Sequence, residues 1–126
     1  MTTNLKQAFD TAVALFNAAQ YDDLRPLMDT DIILKLVDDS GSVVGIGNVI
    51  TYLNGHQATE QPQLVNINIQ TIYGNNGTNG QISGTAQYQD QKAVNTFIDV
   101  RFTFTFSRNA ITDDWLLVNA FAAPSQ

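Results

Sequence analysis

Residues 96–106 carry the plainest alternation in the chain, with Ile98, Val100, Phe102, Phe104 and Phe106 on one set of positions and Asp99, Arg101, Thr103 and Thr105 on the other. A period of two predicts a strand with one buried and one polar face. The N-terminal pattern has a different period. Leu5, Phe9, Ala12, Val13 and Phe16 recur at helical spacing behind Asn4 and Gln7, which suit a reciprocal cap, so a helix is predicted to about Ala19. Asp22 and Asp23 then suit the N-terminus of a second, short helix carrying Leu24, Leu27 and Met28, with Pro26 tolerated in its first turn.

Between these regions the period changes again. Residues 32–37 read as a strand, 38–41 (Asp-Asp-Ser-Gly) as a turn and 42–44 as a return strand. Ile46, Val49, Ile50 and Leu53 share one helical face, and Gly55 supplies a stop, so a short helix follows. In residues 64–73, Val65, Ile67, Ile69 and Thr71 are expected on one face and Asn66, Asn68 and Gln70 on the other. A hairpin loop at 75–80 leads into a strand over 82–88, and a last strand runs over 115–122. In that strand Trp115, Leu117 and Phe121 compete with Leu116, Val118 and Ala120 for the interior.

At 126 residues the chain fits one domain, 1–126, with enough length to bury a core without staples. The charge is −6, and the six basic residues (Lys6, Arg25, Lys35, Lys92, Arg101 and Arg108) are scattered, which excludes a basic stripe for nucleic acid. No apolar run is long enough to span a membrane, and the start lacks the apolar core of a signal peptide. No membrane partner and a cytoplasmic location are the expectations. With no cysteine, thiol chemistry and thiolate metal sites are absent. One histidine, His56, in a polar loop with Pro62 leaves no ligand set for a metal, and Gly45-Ile46-Gly47 lacks the third glycine of a nucleotide fingerprint, so no metal and no cofactor are expected.

The order helix, helix, strand pair, short helix, then four antiparallel strands carries a family resemblance. Its bearers are Phe16-Asn17-Ala18-Ala19-Gln20-Tyr21-Asp22-Asp23-Leu24; Gly45 with Val49 and Tyr52-Leu53; and Arg101 to Phe106 followed by Trp115-Leu116-Leu117-Val118. On these the whole chain resembles the nuclear transport factor 2-like superfamily, also called the SnoaL-like or cystatin-like fold. The resemblance implies an α+β class: a cone-shaped, curved antiparallel sheet wrapped around N-terminal helices, an α+β barrel. It also implies a homodimer through the outer sheet face, where Arg101, Thr103, Thr105, Asn119 and Phe121 would lie.

The family's enzymes supply residue-level templates. Ketosteroid isomerase-like members use a first-helix tyrosine and two pocket aspartates; the matching places here hold Ala12, residues 34–36 and Phe102. Limonene epoxide hydrolase-like members use an arginine flanked by aspartates, and Asp99-Val100-Arg101 has the reverse order on a face expected to point outward, where the two charges make a surface pair. SnoaL-like cyclases and scytalone dehydratase-like enzymes rely on pocket Asp and His, and His56 falls in a loop. The catalytic residues are therefore unknown. The expectation is a domain that binds a small apolar molecule in its cone or acts as an interaction module without catalysis. The alternative is a SnoaL-like isomerase, cyclase or lyase with a pocket aspartate as acid or base. Phe16, Tyr52, Tyr73, Tyr88, Phe104 and Trp115 are the candidate ligand-binding rings, since large rings commonly line such a hollow.

Overall fold

The computed structural model describes residues 4–35, 42–57, 63–89 and 97–124, without the side chains of His56 and Gln57. The predicted turn at 38–41, Pro62, Thr96 and the His56 imidazole lie outside what is described. A six-stranded sheet runs in the order β2-β1-β6-β5-β4-β3 and curves without closing, with β2 and β3 at its edges. The strands are β1 (Met28–Lys35), β2 (Val43–Val44), β3 (Gln63–Tyr73), β4 (Asn79–Gln89), β5 (Phe97–Ser107) and β6 (Leu116–Pro124). All neighbours are antiparallel except β1 and β6, which run parallel. The expected barrel is thus an open sheet. Among the described residues no helix is long and apolar enough to cross a membrane.

Helix α1 (Leu5–Asn17) lies on the inner face, where Leu5, Phe9, Ala12 and Val13 are buried. Its start is the reciprocal cap read from the sequence: Gln7 N donates to Asn4 Oδ1 at 2.8 Å, and Asn4 N donates to Gln7 Oε1 at 3.1 Å. It ends two residues before the predicted Ala19, which takes a left-handed φ of 58° and turns the chain. At that end the Asn17 amide pairs with the backbone of Leu64 in both directions, Nδ2 to the carbonyl at 3.0 Å and Leu64 N to Oδ1 at 2.8 Å.

The second helix is a 3-10 helix, Tyr21–Leu27, which begins at Gln20 with no side-chain cap. Asp22 and Asp23 are in its first turn, near the positive end of the dipole, and do not cap it; Asp22 accepts from Asn54 Nδ2 at 3.3 Å. Met28, expected in the helix, opens β1. Helix α2 (Ile46–Tyr52) starts at Gly45, whose φ of 95° is open to glycine and strained for other residues. Its backbone N–H reaches the Ile32 carbonyl at 2.8 Å. Gly55 does not end it, because the helix widens into a π turn, Leu53–Gln57, that carries the chain past the glycine.

Two strands have a phase that simple alternation missed. In β3, register shifts between Val65 and Asn68 and again between Ile69 and Thr71 insert extra residues. Leu64, paired with buried Tyr88, and Ile69, paired with Gly84 of the inner face, point inward, whereas Val65, Asn68, Thr71 and Tyr73 share the outer rows with Gln87, Thr85, Ser83 and Gln81. Asn66 sits in the first bulge at a φ of 52°. Gly84 is required opposite the next stretch, since a Cβ there would meet the Asn68 carbonyl oxygen and carbon. In β6 a shift against β5 between Thr105 and Phe106 divides the strand. Trp115 and Leu117 are buried before it, Ala120 and Ala122 after it, and Phe121 faces outward beside Thr103. Both competing phases are therefore used, one on each side of the bulge.

Strand β5 keeps its predicted alternation from Val100 onward, with Val100, Phe102 and Phe106 buried and Phe104 packed against them, whereas Ile98, expected on the buried face, is 39% exposed near the strand's start. The expected Asp99 and Arg101 pair does not form. Residues two apart on one strand are about 6.6 Å apart along it, and Gln87, directly opposite Asp99, takes the carboxylate through Nε2 at 3.1 Å.

Candidate functional site: an apolar cavity under the first helix

The ring cluster fixes how close α1 can come to the sheet. Phe9 stacks on Phe102 with centroids 5.4 Å apart and meets Phe104 edge-on at 5.2 Å. Phe102 and Phe104 are themselves 5.7 Å apart and near perpendicular. These rings hold the helix off the sheet, and beyond them the facing residues become small. Ala120 pairs with Phe104 and Ala122 with Phe102 on the inner face, while Ala12 faces them from α1.

The result is a cavity of about 60 Å³. Ala12, Val13 and Phe16 form its helical wall; Leu34, Tyr88, Phe104, Leu117, Ala120 and Ala122 form the sheet wall. Leu24, Leu53 and Leu64 close the remaining sides. Of these residues Tyr88 alone has a polar side-chain atom. Such a space excludes water for lack of partners and favours apolar occupants. No described carboxylate or imidazole lines it, and among the described residues no group of three His, Cys, Asp or Glu is placed to hold a metal.

The six rings singled out from the sequence separate cleanly. Phe16, Tyr88 and Phe104 meet around the cavity. Tyr52 is half-buried against the core outside the lining. Tyr73 is 70% exposed on the outer face at the far end of β3, because the second bulge puts Thr71 and Tyr73 out of phase with the inward Ile69. Trp115 is buried beyond the cavity, with the Arg108 guanidinium 4.0 Å from its ring centroid. The sequence reading missed the alanines. An Ala-Xaa-Ala in a strand opposite a row of phenylalanines is the signal that could have found them, since it marks where side-chain volume runs out.

Beside this wall stands Tyr21, 1% exposed, with an Oη that has no hydrogen-bond partner among the described residues. Its ring tilts against Phe16 at 6.1 Å between centroids. Burial pushes its phenol up from the ordinary value of 10.0.

No family model and no curated protein sequence matches the chain. Solved structures do. A Xanthomonas campestris protein provisionally named as a calcium/calmodulin-dependent protein kinase II association domain superimposes with a TM-score of 0.76 at 19% identity, over 93% of this chain and 82% of its own. A ketosteroid isomerase-like protein from Erwinia carotovora atroseptica gives 0.76 at 12% identity, over 97% and 94%. A Novosphingobium aromaticivorans protein described as NTF2-like with a cystatin-like fold gives 0.68 at 15%, over 96% and 79%. The chain therefore has the nuclear transport factor 2-like, cystatin-like fold. At these identities the likeness concerns architecture, and a fold of this kind does not determine function.

Proposed function

We propose that this protein is a non-catalytic, cytoplasmic binding domain that takes a small apolar molecule into the cavity under α1 and associates with a second copy through the outer face of its sheet. The observation that carries the reading is the chemistry of the lining, which is hydrocarbon apart from Tyr88 and offers no described group poised to take and return a proton. The isomerase or lyase alternative needs an aspartate at the cavity. Asp22 is held by Asn54, Asp29 accepts from the Asp31 backbone and Asp99 is on the outer face. None of these lines the cavity.

Size narrows the ligand. An apolar cavity of about 150 Å³ admits benzene, and the one here is less than half as large. Xenon is a suitable probe. Under xenon pressure, the methyl resonances of Leu24, Leu117 and Ala122 should shift saturably, with those of Ile111, an exposed residue, unmoved. An equal, non-saturating drift at all of them overturns the binding reading.

The outer face supports self-association. Phe121, 39% exposed, lies in a row of Lys35, Phe121, Thr103, Ser83 and Thr71, beside a second row of Ile33, Asn119, Thr105, Gln81 and Tyr73. Small polar residues around an aromatic make a surface that can pack closely on a copy of itself. Arg101 has no charged partner among the described residues, and neither does Asp99, so the two can pair across a two-fold axis. Light scattering at micromolar protein should give twice the chain mass, falling toward the single-chain value in Phe121→Lys. A mass of 13.8 kDa for the unmodified protein overturns this part.

A further inference from the structure

On the outer face, the residues around Val100 form an order that complements its own reverse. The outward positions of β5 run Phe97, Asp99, Arg101, Thr103, and Thr103 has Phe121 beside it on β6. A ring and an acid therefore lie on one side of Val100, and a base and a ring on the other. Both charged residues are exposed, as are the rings of Phe97 and Phe121. A two-fold contact requires a surface to match itself, and with Asp99 set over a second Asp99 like charges would oppose each other. An axis in the contact plane, crossing β5 at right angles level with Val100, avoids this. It reverses the strand direction, so it exchanges Asp99 with Arg101 and Phe97 with Thr103. Each acid then meets a base, and each Phe97 ring comes down over Thr103 next to Phe121. The facing strands run antiparallel, within the roughly 30° that aligned sheets adopt.

The acid side is also shaped to receive a cation. A notch of about 300 Å³ opens beside Asp99, lined by Asn66, Thr85, Ala86, Gln87, Asp99 and Val100. It lies at the first bulge of β3, where Asn66 leaves the ladder. Within it Asn66 Nδ2 donates to Gln87 Oε1 at 2.6 Å, and Gln87 Nε2 donates to Asp99 Oδ1 at 3.1 Å. These amides orient the carboxylate through one oxygen, and a carboxylate has capacity for further donors. A guanidinium, with five donors in a planar fork, suits such a place.

We propose that two copies meet about an axis level with Val100, each placing its Arg101 guanidinium in the notch at the partner's Asp99 and its Phe97 beside the partner's Phe121. This rests on the outer face being where copies associate, and it commits that contact to one register.

Charge exchange tests the pairing. Dimer dissociation constants are measured by sedimentation for the unmodified protein, Asp99→Arg, Arg101→Asp and the protein carrying both. Each single reversal sets like charges against each other on both sides of the axis and should weaken the dimer about tenfold or more, while the double variant should regain at least about threefold over either. The chain has no cysteine, which permits a second test. Gln89 is paired with Phe97 and Ser83 with Thr103, so the same axis brings Gln89 of one copy onto Ser83 of the other. A mixture of Gln89→Cys and Ser83→Cys proteins should cross-link with a short bifunctional thiol reagent. Neither should do so alone, because each residue is then six positions, about 20 Å, from its counterpart. A dimeric unmodified protein with no regain in the double variant, or with no cross-linking particular to the mixture, overturns this register and leaves association through the outer face standing. A single-chain mass for the unmodified protein removes the association reading and this proposal with it.

Discussion

The two halves of α1 meet the same sheet in opposite ways. The first half is packed to contact and tied down: Leu5 and Phe9 are buried, Leu5 rests on Gly80 so closely that a Cβ there would come within 2.7 Å of its methyl, and Leu5 N donates to Asn75 Oδ1 at 2.9 Å. The loop that carries Asn75 is itself held, since Arg108 donates through Nε to the Gly77 carbonyl at 2.8 Å and through Nη2 to that of Asn75 at 3.3 Å, with Trp115 beneath its guanidinium. The second half of the helix, from Ala12 to Phe16, faces the cavity. One helix thus joins a region fixed by directional bonds and full packing to a region where the chain keeps space open. Close packing and open space are thus at different ends of one element, and substitutions should separate stability from the proposed binding.

The largest expected effect is in the packed half. Trp115→Ala removes a buried ring and the platform of Arg108, and denaturant titration should show a loss of about 3–5 kcal/mol. A loss under about 1 kcal/mol would show that the closed end is not what holds the fold.

A pair of enlargements sharpens the contrast. Gly80→Ala presses on Leu5 and should cost about 1–3 kcal/mol through overpacking. Ala122→Val adds carbon beside open volume and should stay within about 1 kcal/mol of the unmodified protein while reducing xenon uptake. Equal costs at the two positions would mean that the cavity is not available space.

The smallest effect is in the alkaline range. An unfolded Tyr21 loses its proton near the ordinary value of 10.0, and the folded one does so higher. Above about pH 10 the unfolded chain therefore binds fewer protons than the native one, and stability declines with rising pH until the folded value is passed. Below that window Tyr21 contributes its full share. Tyr21→Phe should flatten the decline seen in denaturation midpoints from pH 9 to 11, and an unaltered slope would show that the phenol ionises as freely in the fold as outside it.

The legible parts of the fold are those set by local chemistry. Asn4 and Gln7 cap α1 as their spacing implies, and β5 keeps a strict period of two because antiparallel neighbours flank it on both sides. The phases of β3 and β6 were not legible, because a bulge is settled by pairing with a partner strand and leaves no mark in the alternation itself. The site follows the same division. Aromatic residues announced a hollow and three of the six surround it, while Tyr73 and Trp115 depended on bulge position and loop closure. The cavity is defined as much by Ala12, Ala120 and Ala122, whose contribution is the volume they lack.

The Asn17 amide, bonded both ways to the Leu64 backbone, has a consequence for how copies of this chain behave in a crowded solution. Strand β3 is a long edge, and an uncovered edge recruits further strands into open-ended ribbons. A primary amide presents one donor and one acceptor, as a peptide group does, so Asn17 fills the rung that an incoming strand would need at Leu64. The two bulges bend the rest of the edge away from the straight register such growth requires. Edge-to-edge addition of a further strand is thereby disfavoured at this side of the sheet, while the outer face stays uncovered.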